Sequence, residues 1–317
     1  MSDEPVVSIV TPSFNQGPFL EETILSVLNQ SYPRVEYHVM DGGSTDESVA
    51  VIRKHAGRLA SWVSERDAGQ ADAINKGWAR STGEILAYLN ADDQYMPGAI
   101  AAAVDLMRRH PETGILYGAC CSFFPDDPAG RLYEPPVFSL KRLLLENFIP
   151  QPTVFIRREV LRKTGMLNRS LRYCLDYDLW IRAAIIGIRF EKFDGSPLAK
   201  FRLWQGSKTS GDAEGWARER LDVLNQLFEA VSPASELARM KSIALAKGYA
   251  SVAYGASLTG NNRTARHFLG KAIAADPKII GDAQFIRTGL LSLMPDRSSA
   301  AIRRLLWKNR REQRVGR

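Results

Sequence analysis

The segment Leu89-Asn90-Ala91-Asp92-Asp93 follows the apolar run Ile85-Leu86-Ala87-Tyr88. A buried strand that ends in adjacent carboxylates concentrates negative charge at a sheet edge, which is costly unless a cation or donors offset it. A hard divalent ion shared with phosphate oxygens meets that need; the plain alternative is a turn or a helix cap. Three further polar clusters have a similar setting. Thr11-Pro12-Ser13-Phe14-Asn15 offers small polar groups that suit a nucleotide base or ribose, or a simple turn. In Met40-Asp41-Gly42-Gly43-Ser44-Thr45-Asp46, Asp41 can accept hydrogen bonds from a uracil-like imide or a ribose, and the glycines admit a ligand to the backbone. Ser44 or Thr45 is expected to cap the next helix, with Asp46 and Glu47 in its first turn. In Asp67–Gly77, Asp72 and Lys76 form an i,i+4 pair. Asp67, Gln70 and Asn75 either decorate that capped helix or reach the cleft of Asp41.

These clusters need strands and helices to present them. Val6–Val10 is nearly all apolar, as a strand covered on both faces should be. Leu20, Ile24, Val27 and Leu28 then recur at helical spacing, with Glu21 and Glu22 in the first turn. Strands are expected over Glu36–Met40, Ser61–Ser64 and Glu84–Leu89, and helices over Glu47–His55, Gln70–Arg80 and Pro97–Arg109. Such alternation predicts a doubly wound, mostly parallel α/β sheet, whose ligands bind beyond the carboxyl ends of the strands. The polar clusters all fall at those ends. From Ile115 to Leu203 the pattern is mixed: strands over Thr153–Ile156, Phe190–Phe193 and Leu198–Leu203, helices over Leu140–Glu146, Arg158–Arg162 and Leu179–Ile186. Beyond the Gly206–Gly211 breaker the chain reads as helical. Ala250, Tyr254, Gly260, Ala265, Leu269, Ala272, Asp276 and Pro277 resemble one helix-turn-helix repeat unit, here a helical appendage.

Charge and cysteine usage narrow the partners. Of 42 basic and 35 acidic residues, eight basic and one acidic lie in 297–317, leaving 34 of each elsewhere. A basic tail on a neutral body argues against nucleic-acid binding by the main domain. Cys120, Cys121 and Cys174 are an odd number with no CxxC, which predicts a reducing compartment and no zinc site. The acidic start Met1-Ser2-Asp3-Glu4-Pro5 has no apolar signal core, and no apolar run approaches the ~20 residues of a membrane span. A cytoplasmic protein is expected. In the tail, Ile302, Leu305, Leu306 and Trp307 lie amid Arg303, Arg304, Lys308, Arg310 and Arg311. Such a segment is either a solvated terminus or a peripheral contact with an anionic membrane.

Taken together, Val7–Asn15, Asp41–Asp46, Gly69–Gly77 and Leu89–Asp93 resemble glycosyltransferase family 2, of the GT-A fold, over residues 6–210. The resemblance implies a glycosyltransferase domain at 1–210, with a nucleotide-sugar half at 1–113 and an acceptor half at 114–210. A helical region with a basic tail then occupies 211–317. It implies an inverting transferase that uses UDP-, GDP- or dTDP-sugars with Mg2+ or Mn2+, acting on a saccharide or lipid-linked saccharide in surface polysaccharide or glycolipid assembly. Carried over by position, Pro12, Ser13, Asn15 and Asp41 face the nucleotide, and on the cleft reading of their own stretch Asp67, Gln70 and Asn75 lie beside them. Asp92 and Asp93 are the metal-binding pair, with Asp93 preferred for direct ligation. Asn90 stands where many members have a further Asp. Tyr173–Arg182 resembles the helix start that carries the general base, which makes Asp176 the base and Asp178 its runner-up. Leu175 replaces the usual Glu. Trp204 stands where relatives often have His, and an indole cannot ligate, so Lys208 or Arg202 is expected to offset diphosphate charge. Gln151-Pro152-Thr153 falls at an acceptor loop. A nucleotidyltransferase would want a basic phosphate loop near the first strand, and Thr11–Gly17 has no Lys or Arg. A dehydrogenase would want GxGxxG after a strand. A degenerate sugar-nucleotide binder that uses its helical C-terminus as a scaffold is the non-enzyme alternative.

Overall fold

The computed structural model describes residues 4–125, 127–204 and 206–293. The chain divides into two compact units: Met1–Leu140 with Phe148–Leu203, and Lys141–Asn147 with Trp204–Arg317. The first unit opens with β1 (Val7–Ser13), α1 (Gly17–Leu28), β2 (Val35–Asp41), α2 (Ser48–His55), β3 (Ser61–Ser64), α3 (Gln70–Arg80) and β4 (Ile85–Tyr88). Next come β5 (Gln94–Tyr95), α4 (Ala99–Arg109), β6 (Thr113–Gly118), β7 (Cys120–Phe124) and β8 (Asp127–Tyr133). After α5 (Leu140–Leu145), which from Lys141 on belongs to the second unit, the first unit resumes with β9 (Phe155–Arg157), α6 (Arg158–Thr164), α7 (Leu175–Ile185), β10 (Arg189–Phe193) and β11 (Ala199–Arg202).

Seven strands form the main sheet in the order β10-β6-β9-β4-β1-β2-β3. Its neighbours run parallel except where β9 pairs, antiparallel, with β4 and β6. The doubly wound, mostly parallel sheet expected from the alternation is therefore present. Side chains in β1 alternate between two layers, as a pleated strand requires. Val7 and Ile9 join Leu20, Ile24, Ile52, Ile100 and Val104 in one core. Val10 faces α3, where a Cβ on Gly77 would come within 2.5 Å of it. Close helix–sheet packing at this point admits no side chain. Register sets the tips in a row: Ser13 lies opposite Asp41, and Asp41 opposite Ser64.

A second sheet has the strand order β5-β11-β7-β8. Three of its strands had no sequence signal: the alternation predicts no strand between Gln94 and Tyr133, where β5, β6, β7 and β8 lie. β5 is a two-residue strand paired with Lys200 and Ala199, and β7 is mostly small or polar residues that β11 pairs from far along the chain. Non-local pairing with β11, not local propensity, places β5 and β7, and β8 follows β7 as an antiparallel hairpin at the sheet edge. Other differences are small. Helix α1 begins at Gly17, so Glu21 and Glu22 stand beyond the first turn; Glu21 accepts from Lys54 at 2.6 Å and His55 at 2.9 Å. The strand expected from Thr153 begins at Phe155, because the Thr153 hydroxyl bonds the Gly118 N–H and the Pro150 carbonyl and shapes a 3-10 turn.

The second unit is helical: α8 (Lys208–Gly211), α9 (Ala213–Ala230), α10 (Lys241–Thr259), α11 (Asn262–Ala275) and α12 (Ala283–Leu293). Gly260 (φ +88°) ends α10 in the left-handed region, and Asn261 caps α11 by accepting the Thr264 N–H at 3.2 Å. The expected helix-turn-helix is thus a hairpin of α10 and α11. Ala217, Leu221, Ala250, Ala253, Phe268, Leu269 and Phe285 fill its core. Among the described residues no helix is long and apolar enough to cross a membrane. The basic tail, including Ile302–Arg311, lies outside the described residues.

Candidate active site

The carboxyl tips of β1, β2 and β3 share one hydrogen-bonded cluster. Asp41 Oδ2 accepts from the N–H groups of Gly43 (3.1 Å) and Ser44 (2.9 Å) and from Ser64 Oγ (2.7 Å). Its Oδ1 accepts from Ser44 Oγ at 2.5 Å. The carboxylate that the sequence offered to a base or ribose is thus taken up largely by its own loop. Ser44 consequently does not cap α2. The N-cap is Glu47, with no side-chain cap, so Asp46 and Glu47 both precede the first turn; Asp46 accepts the Ser48 N–H at 3.0 Å while its second oxygen takes the Gly17 N–H at 2.9 Å. Asn15, in the left-handed region at φ 51°, joins β1 to this loop: its Oδ1 accepts the Thr45 N–H at 2.9 Å and its N–H donates to Ser44 Oγ at 2.8 Å.

What these tips leave available is Ser13 and Phe14. Ser13 Oγ is buried and makes no hydrogen bond, an anomaly that a ligand group would resolve. Phe14, an aromatic 60% exposed at the strand tip, is a residue the sequence reading passed over. Its only signal was its place between Ser13 and Asn15. Pro12 is buried beside Met40. Asp67 packs its carboxylate on Gly42, where a Cβ would lie 2.8 Å from Oδ2, and its Oδ1 accepts the Gly69 N–H at 2.8 Å.

Beyond β4, Asn90 is the hub of a second network. Gln70 Nε2 donates to Asn90 Oδ1 at 2.6 Å, and Asn90 Nδ2 donates to Asp93 Oδ2 and to Gln151 Oε1, both at 3.2 Å. Gln151 in turn donates to the Tyr88 carbonyl at 2.8 Å. An amide donates and accepts at once, so Asn90 joins Gln70 to Asp93 in a way a carboxylate would not. Asp93 is 0% exposed. Its Oδ1 accepts the Arg202 N–H at 3.1 Å, and its carbonyl accepts the Thr23 hydroxyl at 2.7 Å. Burial pushes the Asp93 carboxyl well above the usual range, the Asp92 charge adds to the rise, and the Arg202 N–H and Asn90 amide pull it back. Asp92 is half-buried.

Arg202 does not serve as a free counter-charge. It is buried, with Nε on the Asp92 carbonyl at 3.0 Å and one terminal nitrogen on Glu22 Oε2 at 2.7 Å. Its guanidinium lies 4.7 Å from the Phe19 ring centroid and 4.6 Å from that of Phe123. With its charge paired and stacked, it braces the acidic turn from behind. Lys208 belongs to the second unit, at the start of α8.

Asp176 stands half-buried in the first turn of α7, where a carboxylate is favoured by the helix N-terminus. Its Oδ1 accepts the Tyr177 N–H at 2.7 Å. Asp178 is committed elsewhere, gripped by Arg182 through Nε at 2.9 Å and a terminal nitrogen at 2.7 Å. The Tyr88 phenol, at the end of β4, is raised well above its ordinary range by burial, and the charges of Asp176 and Asp93 push it the same way. Asn75 has another occupation, bonding the backbone of Leu167.

Two hard oxygen donors side by side, one half-buried, fit a divalent ion that keeps coordination positions for phosphate and water. Among the described residues no group of three or more His, Cys, Asp or Glu gathers into a cage. An ion here would thus share its shell with a ligand.

The sequence profile of glycosyl transferase family 2 matches residues 8–165. The chain is 32% identical over 191 residues to an uncharacterised glycosyltransferase of Mycobacterium tuberculosis, covering 59% of this chain and 71% of that one. It is 29% identical over 182 residues to a PGL/p-HBAD biosynthesis glycosyltransferase of Mycobacterium bovis, covering 56% and 69%. Among solved structures, S. aureus TarS 1–349 in complex with UDP-GlcNAc superposes with a TM-score of 0.65 at 18% identity, over 94% of this chain and 89% of that one. The mannosyltransferase PcManGT of Pyrobaculum calidifontis, in complex with GDP-Man and Mn2+, gives a TM-score of 0.60 at 19% identity, over 96% and 88%.

Proposed function

The chain belongs to glycosyl transferase family 2, and on that premise we propose an inverting, Mg2+- or Mn2+-dependent transferase. It moves a sugar from a nucleoside-diphosphate sugar to an acceptor hydroxyl in surface polysaccharide or glycolipid assembly. The observation that carries this reading is the acidic turn after β4, where half-buried Asp92 adjoins buried Asp93 and Asn90 ties Asp93 to Gln70 of α3. TarS with UDP-GlcNAc and PcManGT with GDP-Man and Mn2+ support the donor class and the ion. A relative named for PGL/p-HBAD biosynthesis supports the glycolipid setting.

Pro12, Ser13, Phe14, Asn15 and Asp41 form the nucleotide side, where Ser13 Oγ has a hydrogen bond to give. Asp67 and Gln70 border it. Of the acidic pair we assign direct ligation to Asp92, because Asp93 is fully enclosed and bonded to Arg202 and Asn90. The ion they would hold offsets charge on the departing diphosphate. Asp176 takes the acceptor hydroxyl's proton as that oxygen bonds the anomeric carbon. The carbon–oxygen bond to the diphosphate breaks on the opposite side, and its electron pair leaves with the nucleoside diphosphate. A single displacement inverts the anomeric centre. A base of this kind contributes ~10²–10⁴-fold.

The test is release of nucleoside diphosphate from UDP-GlcNAc and GDP-mannose with Mn2+. Asp176→Asn should lose about 10²–10⁴-fold in turnover with UDP or GDP affinity unchanged by calorimetry. Near-wild-type turnover removes Asp176 from the scheme. We also propose peripheral attachment to the cytoplasmic face of an anionic membrane. Ile286, Leu290 and Leu293 form one exposed apolar face of α12, beside Arg287 and upstream of the basic tail. Equal co-sedimentation of the full chain and a Leu290→Ser/Leu293→Ser variant with phosphatidylglycerol vesicles overturns a part for that face.

A further inference from the structure

Asn75 sits in the middle of α3, yet its side chain serves a residue 92 positions on. Its Nδ2 donates to the Leu167 carbonyl at 2.8 Å and its Oδ1 accepts the Leu167 N–H at 3.1 Å. A carboxamide that pairs both polar groups of one peptide residue replaces a neighbouring strand. One turn earlier on the same helix, buried Asp72 receives Arg169 Nε at 3.0 Å. The loop so held is otherwise mostly exposed: the Arg169 side chain is 60% exposed, and Leu167, at 3%, is its buried anchor. From the opposite direction Arg182 of α7 donates to the carbonyls of Thr164 at 2.7 Å and Met166 at 3.0 Å. The same guanidinium binds Asp178. The loop is therefore stitched to α3 at Leu167 and Arg169, and to α7 at Thr164 and Met166. Asp176 rides on the first turn of that α7.

We infer that Asn75, seconded by Asp72, is a positioning residue that fixes the Thr164–Arg169 loop and, through Arg182, sets where Asp176 stands. The inference rests on the proposed role of Asp176 as base. It gives α3 two tasks: Gln70, at its start, meets Asn90 of the acidic turn, while Asp72 and Asn75 hold the loop ahead of the base helix. Helix α3 thus joins the donor side of the first unit to the acceptor side without touching the substrate through Asn75. A neutral amide suits the task because Leu167 presents both a donor and an acceptor. Neither Asp nor Lys at position 75 could answer both at neutral pH.

The experiment compares wild type, Asn75→Ala, Asp176→Asn and the double variant, all as full chains. Readouts are nucleoside diphosphate release from UDP-GlcNAc or GDP-mannose, UDP and GDP affinity by calorimetry, and hydrogen exchange. Asn75→Ala should lose about tenfold to a hundredfold in turnover, as a displaced catalytic group does, keep nucleotide affinity within about twofold, and exchange faster at 164–176 than wild type. In the Asp176→Asn background the same change should cost almost nothing more, since it acts through the group already removed. Multiplicative losses, or a fall in nucleotide affinity that matches the loss of turnover, overturn the inference. Should Asn75→Ala fail to fold, Arg169→Ala, at an exposed side chain, should show a smaller loss with the same non-additivity; unchanged exchange and turnover overturn it. If wild type turns over neither donor, the proposed activity fails on its own, and unchanged exchange at 164–176 in Asn75→Ala still overturns the latch.

Discussion

Asp93 lies in the turn after β4 and Asp176 in the first turn of α7, and the molecule secures them differently. Asp93 is enclosed, with the Arg202 N–H and the Asn90 amide on its carboxylate and Thr23 on its carbonyl. Asp176 is half-buried, accepts the Tyr177 N–H, and depends on α7 and on the loop tied to Asn75 and Arg182. Rigid enclosure suits a group that must hold a turn in place, because the cost of burying its charge is met once, on folding. Partial exposure suits a group that must exchange a proton with an incoming hydroxyl. On the proposed scheme the two acids differ in kind: one belongs to the frame and the other to the chemistry.

Substitutions can break that comparison. Asp93→Ala should lower stability by about 1–3 kcal/mol, because it orphans the buried Arg202 N–H and Asn90 amide. Asp92→Ala should leave the denaturation midpoint near wild type while removing Mn2+-dependent donor affinity. Equal destabilisation of the two variants by urea would erase the difference between frame and ligand. Arg202→Lys should cost about 1 kcal/mol, since an ammonium cannot reproduce the planar stack between Phe19 and Phe123 together with both hydrogen bonds. A stability equal to wild type would show that the acidic turn holds itself. The smallest effect concerns His38, whose buried ring bonds Ser61 Oγ at 2.7 Å through Nδ1. Burial holds its pKa below 6.5, and nearby Glu36 pulls back. The unfolded chain therefore takes up the proton first, and stability should fall as pH drops below 6.5. Urea midpoints at pH 7.5 and 5.5 should differ less in His38→Gln than in wild type. An identical difference would return the acid sensitivity to the carboxylates.

Local pattern made much of the first hundred residues readable. Val7–Val10, Ser61–Ser64 and Gln70–Arg80 carry their own periodicity and breakers, and the structure forms elements there. The position of the acidic turn followed from the abrupt end of an apolar strand. Orientation was harder to read. Ser44 looks like a helix cap until its hydroxyl is found on Asp41, and Asn75 looks like a cleft residue until Leu167 is found beside it. Both partners depend on chain that is distant or on a loop whose shape sequence spacing does not encode. Arg202 looks like a phosphate counter-charge because nothing near it in sequence reveals Glu22, Phe19 or Phe123. Strand β5 shows the same limit, since its pairing comes from Ala199 and Lys200.

The reversed strand β9 bears on how this chain emerges from the ribosome. β4 pairs with β1 on one side and with β9 on the other, Ile85 meeting Arg157 and Leu86 meeting Ile156. Until Arg157 has been synthesised, a nascent chain that holds β1 to β4 leaves one margin of β4 unpaired, open to strand addition by another copy. Fragments that stop before Phe155 carry that aggregation hazard permanently, however complete their motifs are.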